Sequence, residues 1–303
     1  MRTVSRLARA VGLLAFGAFV AGGFPAEVAA QTGPPADVPR AEIPRTPTGR
    51  PDMNGIWQSL GNHHWDIEQH QARAAMQLQP GPIIPVPAKG VVALGALGAV
   101  PPGWGAVEGG EIPYLPDALA MRDENREHYL ERDPAIKCFL PGVPRAILEP
   151  MPFQIFQSEG HFLIAYEFAG AVRDIYMEDP GPSVLDAWMG QSVGRWEGDT
   201  FVVEVNAFNG MTWFDRAGNH HSAALNVTER YTMVTPFHIW YEATMEDPNT
   251  FSRPWTIRLP LYKQIDPNAR LGQFKCIEFV EELMYGHLRK TPVGAEEQSG
   301  GAR

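Results

Sequence analysis

The 303-residue chain carries 25 Lys and Arg against 35 Asp and Glu, a formal net charge of −10. That balance, with no cluster of basic residues anywhere, argues against a nucleic-acid partner, because binding a phosphate backbone depends on a basic face. The two cysteines, Cys138 and Cys276, belong to no C-x-x-C or Cys/His pattern, which argues against structural zinc.

In chain order, residues 1–30 have the form of a signal peptide. Arg2, Arg6 and Arg9 precede a short apolar run, and Val28-Ala29-Ala30 is a small-residue cleavage site. The apolar run is too short and glycine-broken to span a bilayer, so the expected compartment is periplasmic or secreted, the alternative being an uncleaved N-terminal anchor. In an oxidising compartment Cys138 and Cys276 either bridge across a very long loop or stay as two buried thiols; spacing does not decide between them. Residues 31–51, rich in Pro and Thr, read as a linker. Pro51 to Trp57 reads as a turn delivering Ile56 and Trp57 to a core. A helix is expected over 66–78 with Asp66 as N-cap, then a Gly/Pro-dense loop over 79–113. A second helix is expected over 116–132, opened by Pro116, with Leu119, Arg122, Arg126, Tyr129 and Leu130 on one side. Residues 138–150 are proline-punctuated.

From Phe153 the pattern changes to strands: 153–157, 161–168, 172–177, 201–205, 226–234, 237–245, 255–263 and 274–281, with 195–200 as a turn. The expected fold is mainly β, an antiparallel lipocalin-like barrel over 151–291, with a helix- and loop-rich N-terminal segment over 52–150 packed on it and a disordered tail over 292–303. No βαβ alternation and no G-x-G-x-x-G occur, which argues against a nucleotide-binding sheet.

The motifs PDMNGIW, CFLPGVPR, IAYEFAGAVRDIYM, WMGQSVGRWEGDTFVVEV, HSAALNVTERY and EDPNTFSRPWT follow one another in that order. Together they resemble a largely uncharacterised family of secreted bacterial proteins, present in several copies per genome in soil bacteria. The resemblance covers nearly the whole mature chain and implies export; it transfers no catalytic assignment.

Chemistry is expected where ionisable groups meet strand faces. Val227, Glu229, Tyr231 and Met233 share a face, so Glu229 lies among apolar neighbours, where a carboxylate pKa rises unless a cation pairs with it. The bland reading is a Glu–Arg pair with Arg173 or Arg230. Phe162, Ile164 and Tyr166 share a face, and the turn at Ala169-Gly170 brings Tyr166 near Arg173. His220, His221 and Ser222 precede a strand on a loop after Asp215, which is placed to orient an imidazole. A Ser222/His/Asp215 triad is formally available but matches no nucleophile elbow. Trp188 and Trp213 flank this cluster, either as core rings or as the lining of a pocket for an apolar or aromatic ligand. The leading expectation is a cofactor-independent enzyme performing elimination, hydration or isomerisation on a small, partly apolar molecule. Its general base is His221 or Glu229, its general acid Tyr166 and its anion stabiliser Arg173, with Trp188, Trp213, Asp215 and Arg230 binding substrate. The alternative is a periplasmic binding protein for a hydrophobic metabolite. A metal held by His63, His64, His70, His220 or His221, with Asp66 or Asp215, is a minority reading without H-E-x-x-H spacing.

Overall fold

The computed structural model describes residues 42–75 and 99–288, all within the compact unit Thr32–Arg303. Residues 1–41, 76–98 and 289–303, which include the expected signal segment over 1–30, part of the loop expected over 79–113 and the tail expected over 292–303, lie outside the described residues.

The chain is mainly β and closes a nine-stranded barrel. Its strands are β1 (Gly55–Ser59), β4 (Phe153–Gln157), β5 (Phe162–Tyr166), β6 (Val172–Tyr176), β7 (Gln191–Glu197), β8 (Thr200–Asn206), β9 (Asn226–Thr235), β10 (His238–Glu246) and β11 (Trp255–Lys263). Two short strands, β2 (Arg73–Ala74) and β3 (Ala99–Val100), pair separately. Around the barrel the order is β1-β11-β10-β9-β8-β7-β6-β5-β4, and β4 pairs back with β1. A closed ring of nine strands cannot be antiparallel throughout. The exception is the parallel pair β6–β7, where Ile175 faces Ser192.

Period-two alternation explains the long strands. In β9, β10 and β11 every second residue is buried, giving an inward set of Val227, Glu229, Tyr231, Met233, Ile239, Tyr241, Ala243, Met245, Ile257, Leu259 and Leu261. Aromatic rings fill the interior: Phe162 stacks on Phe201 at 4.1 Å, and Tyr231 meets Tyr241 at 5.0 Å. Gly194 makes room for this packing, since a Cβ there would sit 2.6 Å from the Phe201 ring.

Several sequence expectations change here. Residues 66–75 form no helix: Asp66 Oδ1 accepts the Glu68 amide at 3.1 Å, and His70 bridges in extended fashion to Gly103. The turn expected over 195–200 belongs to a hairpin of β7 and β8 whose loop is Gly198-Asp199, and Gly194 had hidden β7. Ile56 and Trp57 are buried as expected, but on a strand. The barrel therefore takes its closing strand from outside 151–291.

The strand expected over 274–281 is absent. Residues 271–277 are irregular, and Val280–Tyr285 is a short helix. The reason is topological: β1 and β4 have closed the ring, so no free edge remains for another strand. The segment is instead tied down by a Cys138–Cys276 disulfide with a Cα–Cα distance of 5.7 Å. The helix expected over 116–132 is present as α1 (Pro116–Glu127) and α2 (Tyr129–Arg132), broken at His128. Arg122, Arg126, Tyr129 and Leu130 face inward to differing degrees, while Leu119 is exposed. A further short helix, α3 (Arg145–Leu148), is wholly buried.

Candidate functional site

Glu229 lies inside the barrel with 0% exposure. Its Oε2 accepts from Arg173 Nη2, and its Oε1 accepts from the Tyr231 hydroxyl at 2.9 Å and the Tyr241 hydroxyl at 2.7 Å. Arg173 Nε donates to Ser192 Oγ at 2.7 Å. Burial first, then the neighbouring Glu229 charge, push both tyrosine pKa values well up, so the two hydroxyls are neutral donors. Tyr166 is also inward, its pKa raised to about 12 by burial against the lowering effect of Arg173. The Tyr166 hydroxyl and Arg173 Nη1 have no hydrogen-bonding partner among the described residues. Strand-face logic thus brings Tyr166, Arg173 and Glu229 together, in a sealed cluster where both carboxylate oxygens are occupied.

His221 belongs elsewhere. Its Nδ1 donates to the Ser222 carbonyl at 2.8 Å, so Nε2 accepts from the Thr212 hydroxyl at 2.6 Å. Its ring packs against Phe208 and Phe214. None of these contacts is shared with Glu229. Ser222 Oγ donates to Asp247 at 2.8 Å, so the formal Ser/His/Asp215 triad does not form.

Burial lowers the His221 pKa to about 4, and this has a consequence for stability. Above an unfolded-state pKa of about 6.5 both states are neutral and the contribution is complete. As pH falls from about 6.5 to about 4, the unfolded chain takes up a proton that the folded chain does not, and up to roughly 3 kcal/mol is lost. Asp215 works in the opposite direction. Burial and then Asp66 raise its pKa to about 7, so it favours the folded state less as pH rises between about 4 and 7. The His221 contribution is therefore read as a difference: His221→Gln should be less acid-sensitive than the parent in urea unfolding at about pH 4 and about pH 7. Equal sensitivity would contradict the assignment.

The other expected site residues are dispersed. Asp215 is a loop organiser, accepting the Ile67 amide at 2.8 Å, the Ala217 amide at 2.8 Å and the Asn219 side chain at 2.7 Å. Arg230 points outward and donates to Glu197 at 2.9 Å. Trp188 stacks on Phe139 at 4.6 Å, and Trp213 is buried in a bridge to His220. Both His70 ring nitrogens lie 2.9 Å from backbone carbonyls, of Glu68 and Pro101. His220 stacks on Tyr114, and burial lowers the His63 pKa. Among the described residues no three His, Cys, Asp or Glu side chains gather as a metal-holding group.

A different place has the form of a site. A cavity of about 360 Å³ opens beside α3 and is walled by Trp65, Ile136, Met151, Phe168, Phe274 and Ile277, with His64, Asp133, Arg145, Glu149, Arg216, Lys275 and Glu281 among its polar lining. That volume falls in the range of small-molecule clefts. Arg145, 1% exposed, donates to both Asp133 oxygens at 2.7 and 2.8 Å and through Nε to Glu149 Oε1 at 3.0 Å. Glu149 itself lines the cavity and is 5% exposed. Burial raises the Glu149 pKa, opposed by Arg145. Burial, then Arg216 and Arg145, lower the His64 pKa to about 4, so its imidazole is neutral near pH 7. Arg216 lies over Trp65 at 4.3 Å and donates to Glu281 at 2.7 Å.

Of these residues only His64 was singled out by sequence reasoning. The available signal was Arg145 and Glu149 at i,i+4 spacing around Ala146-Ile147-Leu148, two charges flanking an apolar turn.

No protein-family model matches the chain, and neither the curated proteins nor the solved structures contain a significant match.

Proposed function

We propose that the chain is an exported enzyme performing acid–base chemistry, an elimination, hydration or isomerisation, on a small, partly apolar molecule held in the cavity beside α3. One observation carries this reading: the same cavity joins an aromatic wall to a buried carboxyl with a raised pKa, Glu149, and a neutral imidazole, His64. Two groups whose surroundings displace their pKa values differently are suited to acid and base roles. Glu149 and His64 are the proton-transferring pair of this reading. The sequence assigned those roles to Tyr166 and to His221 or Glu229, with Arg173 as anion stabiliser; Glu229 is sealed inside the barrel and His221 faces different neighbours. The reading uses no cofactor. Export rests on the signal-like residues 1–30, and the mostly up-and-down strand order supports a lipocalin-like relationship.

A carrier without chemistry is the second reading. It is favoured by the self-sufficiency of the polar lining, in which Asp133, Arg145 and Glu149 already satisfy one another. Native mass spectrometry of protein purified from the periplasm separates the two. The enzyme reading expects Glu149→Gln, which keeps the acceptor for Arg145, to retain a small organic molecule that the parent converts. Hydration adds one water to that molecule and elimination removes a proton together with the leaving group, both read as a mass change; isomerisation changes its retention on chromatography. An identical molecule bound to both proteins would favour the carrier, and no bound molecule in either would remove the support for both readings.

A further inference from the structure

We infer that the occupant of this cavity is an aromatic monoanion, its flat body against Phe168 and Phe274 and its anionic group on Lys275. This rests on the cavity being the functional site.

The charges around the cavity are unequally committed. Asp133 and Glu149 accept from Arg145, and Glu281 accepts from Arg216. Arg216 in turn lies over the rings of Trp65 and Tyr129, at 4.3 and 5.2 Å. Lys275 differs from these groups: it lines the cavity, is exposed, and has no carboxylate within ion-pair distance among the described residues. Its position is also fixed by its neighbours. Phe274 meets the Phe168 ring at 5.0 Å, and Cys276 is bonded to Cys138. The Gly272 amide donates to Glu167 at 2.6 Å and the Phe279 amide to the Ile136 carbonyl at 3.0 Å, so the segment is held on both sides of Lys275. Lys275 is therefore held beside an aromatic wall by a pinned backbone. On a chain of net charge −10 an anion gains little elsewhere, and a local uncommitted cation supplies the attraction. The apolar wall selects a flat body, and Lys275, the one Lys or Arg of the lining with no ion pair among the described residues, selects a single negative charge.

Two fluorescent probes test this because they differ by one sulfonate: 1-anilinonaphthalene-8-sulfonate and the neutral N-phenyl-1-naphthylamine. The folded full chain is expected to bind the anionic probe about three- to fivefold more tightly, the size of a partly exposed ion pair. Added salt should shrink that preference. Lys275→Gln should abolish it while leaving the neutral probe's affinity unchanged, and Lys275→Arg should retain it. Equal affinities in the parent, or a preference that survives Lys275→Gln, would overturn the inference while leaving the cavity as the site. Phe274→Ala should weaken both probes. If it weakens neither, the cavity reading fails and the inference fails with it.

Discussion

Glu229→Ala is expected to cost about 3–5 kcal/mol of folding stability, enough to remove much of what holds a domain folded. The cause is not the lost attraction alone. Arg173 would remain in the barrel interior, 3% exposed, its Nε bonded to Ser192 but its charge without a carboxylate partner among the described residues, and the Tyr231 and Tyr241 hydroxyls would lose their shared acceptor. An uncompensated buried charge is far more costly than a paired one. Adding Arg173→Met should therefore return part of the loss, because no unpaired charge is left, while the two orphaned hydroxyls keep the double variant below the parent. Equilibrium urea unfolding measures all three proteins. A loss under about 1 kcal/mol for Glu229→Ala would show that water reaches this cluster and that it is not sealed.

Arg145→Ala should have an effect of the same size, about 3–5 kcal/mol, for a related reason. Its guanidinium makes three charge-assisted bonds to Asp133 and Glu149, and both carboxylates are buried. The difference lies in what else is lost. Arg145 joins residue 133, before the disulfide, to α3 across one wall of the cavity, so probe binding should disappear along with stability. Glu229→Ala protein that remains folded should keep its probe affinity. Glu149→Gln, which preserves the acceptor for Arg145, should cost about 1 kcal/mol or less. If Arg145→Ala lowered stability but left probe affinity intact, the triad would be a structural support separate from the cavity.

The barrel was largely legible in the sequence because its long strands obey period two. Strands 153–157 and 255–263 were read to their ends, and alternation put Glu229 on an apolar face and Tyr166 on the face of Phe162 and Ile164; that both faces are the buried one came from the closed barrel. Arg173 as the partner of Glu229 was one of two candidates, and chain closure selected it, since Arg230 faces out toward Glu197. The misreadings have physical causes. Gly194 and Gly198 masked β7, because a strand that yields space to Phe201 carries a weak hydrophobic signal. Residues 274–281 alternate well enough for a strand but meet a ring already closed. Asp66 and Glu68 resemble the opening of a helix, yet their carboxylates accept backbone amides at Glu68 and Ile112 that hold the chain irregular.

The cavity was not legible for a different reason. Its polar groups come from separate loops and a short helix: His64 and Trp65, Asp133, Arg145 and Glu149, Arg216, and Lys275 with Glu281. No period relates them. What assembles them is tertiary: the Cys138–Cys276 bridge, Asp215 tying its loop to Ile67, and the Arg216 amide donating to the His64 carbonyl at 3.0 Å. A disulfide left open between two outcomes left open the wall that it builds.

The most direct test of the central claim, that the cavity beside α3 and not the barrel interior is the functional site, is a crystal structure of the protein purified from its native host with whatever it carries. The account predicts electron density for a small molecule between Phe168, Phe274 and Glu149, with the Arg173–Glu229–Tyr241 cluster closed as described. Density for an organic molecule inside the barrel, displacing the hydrogen bonds to Glu229, would contradict it.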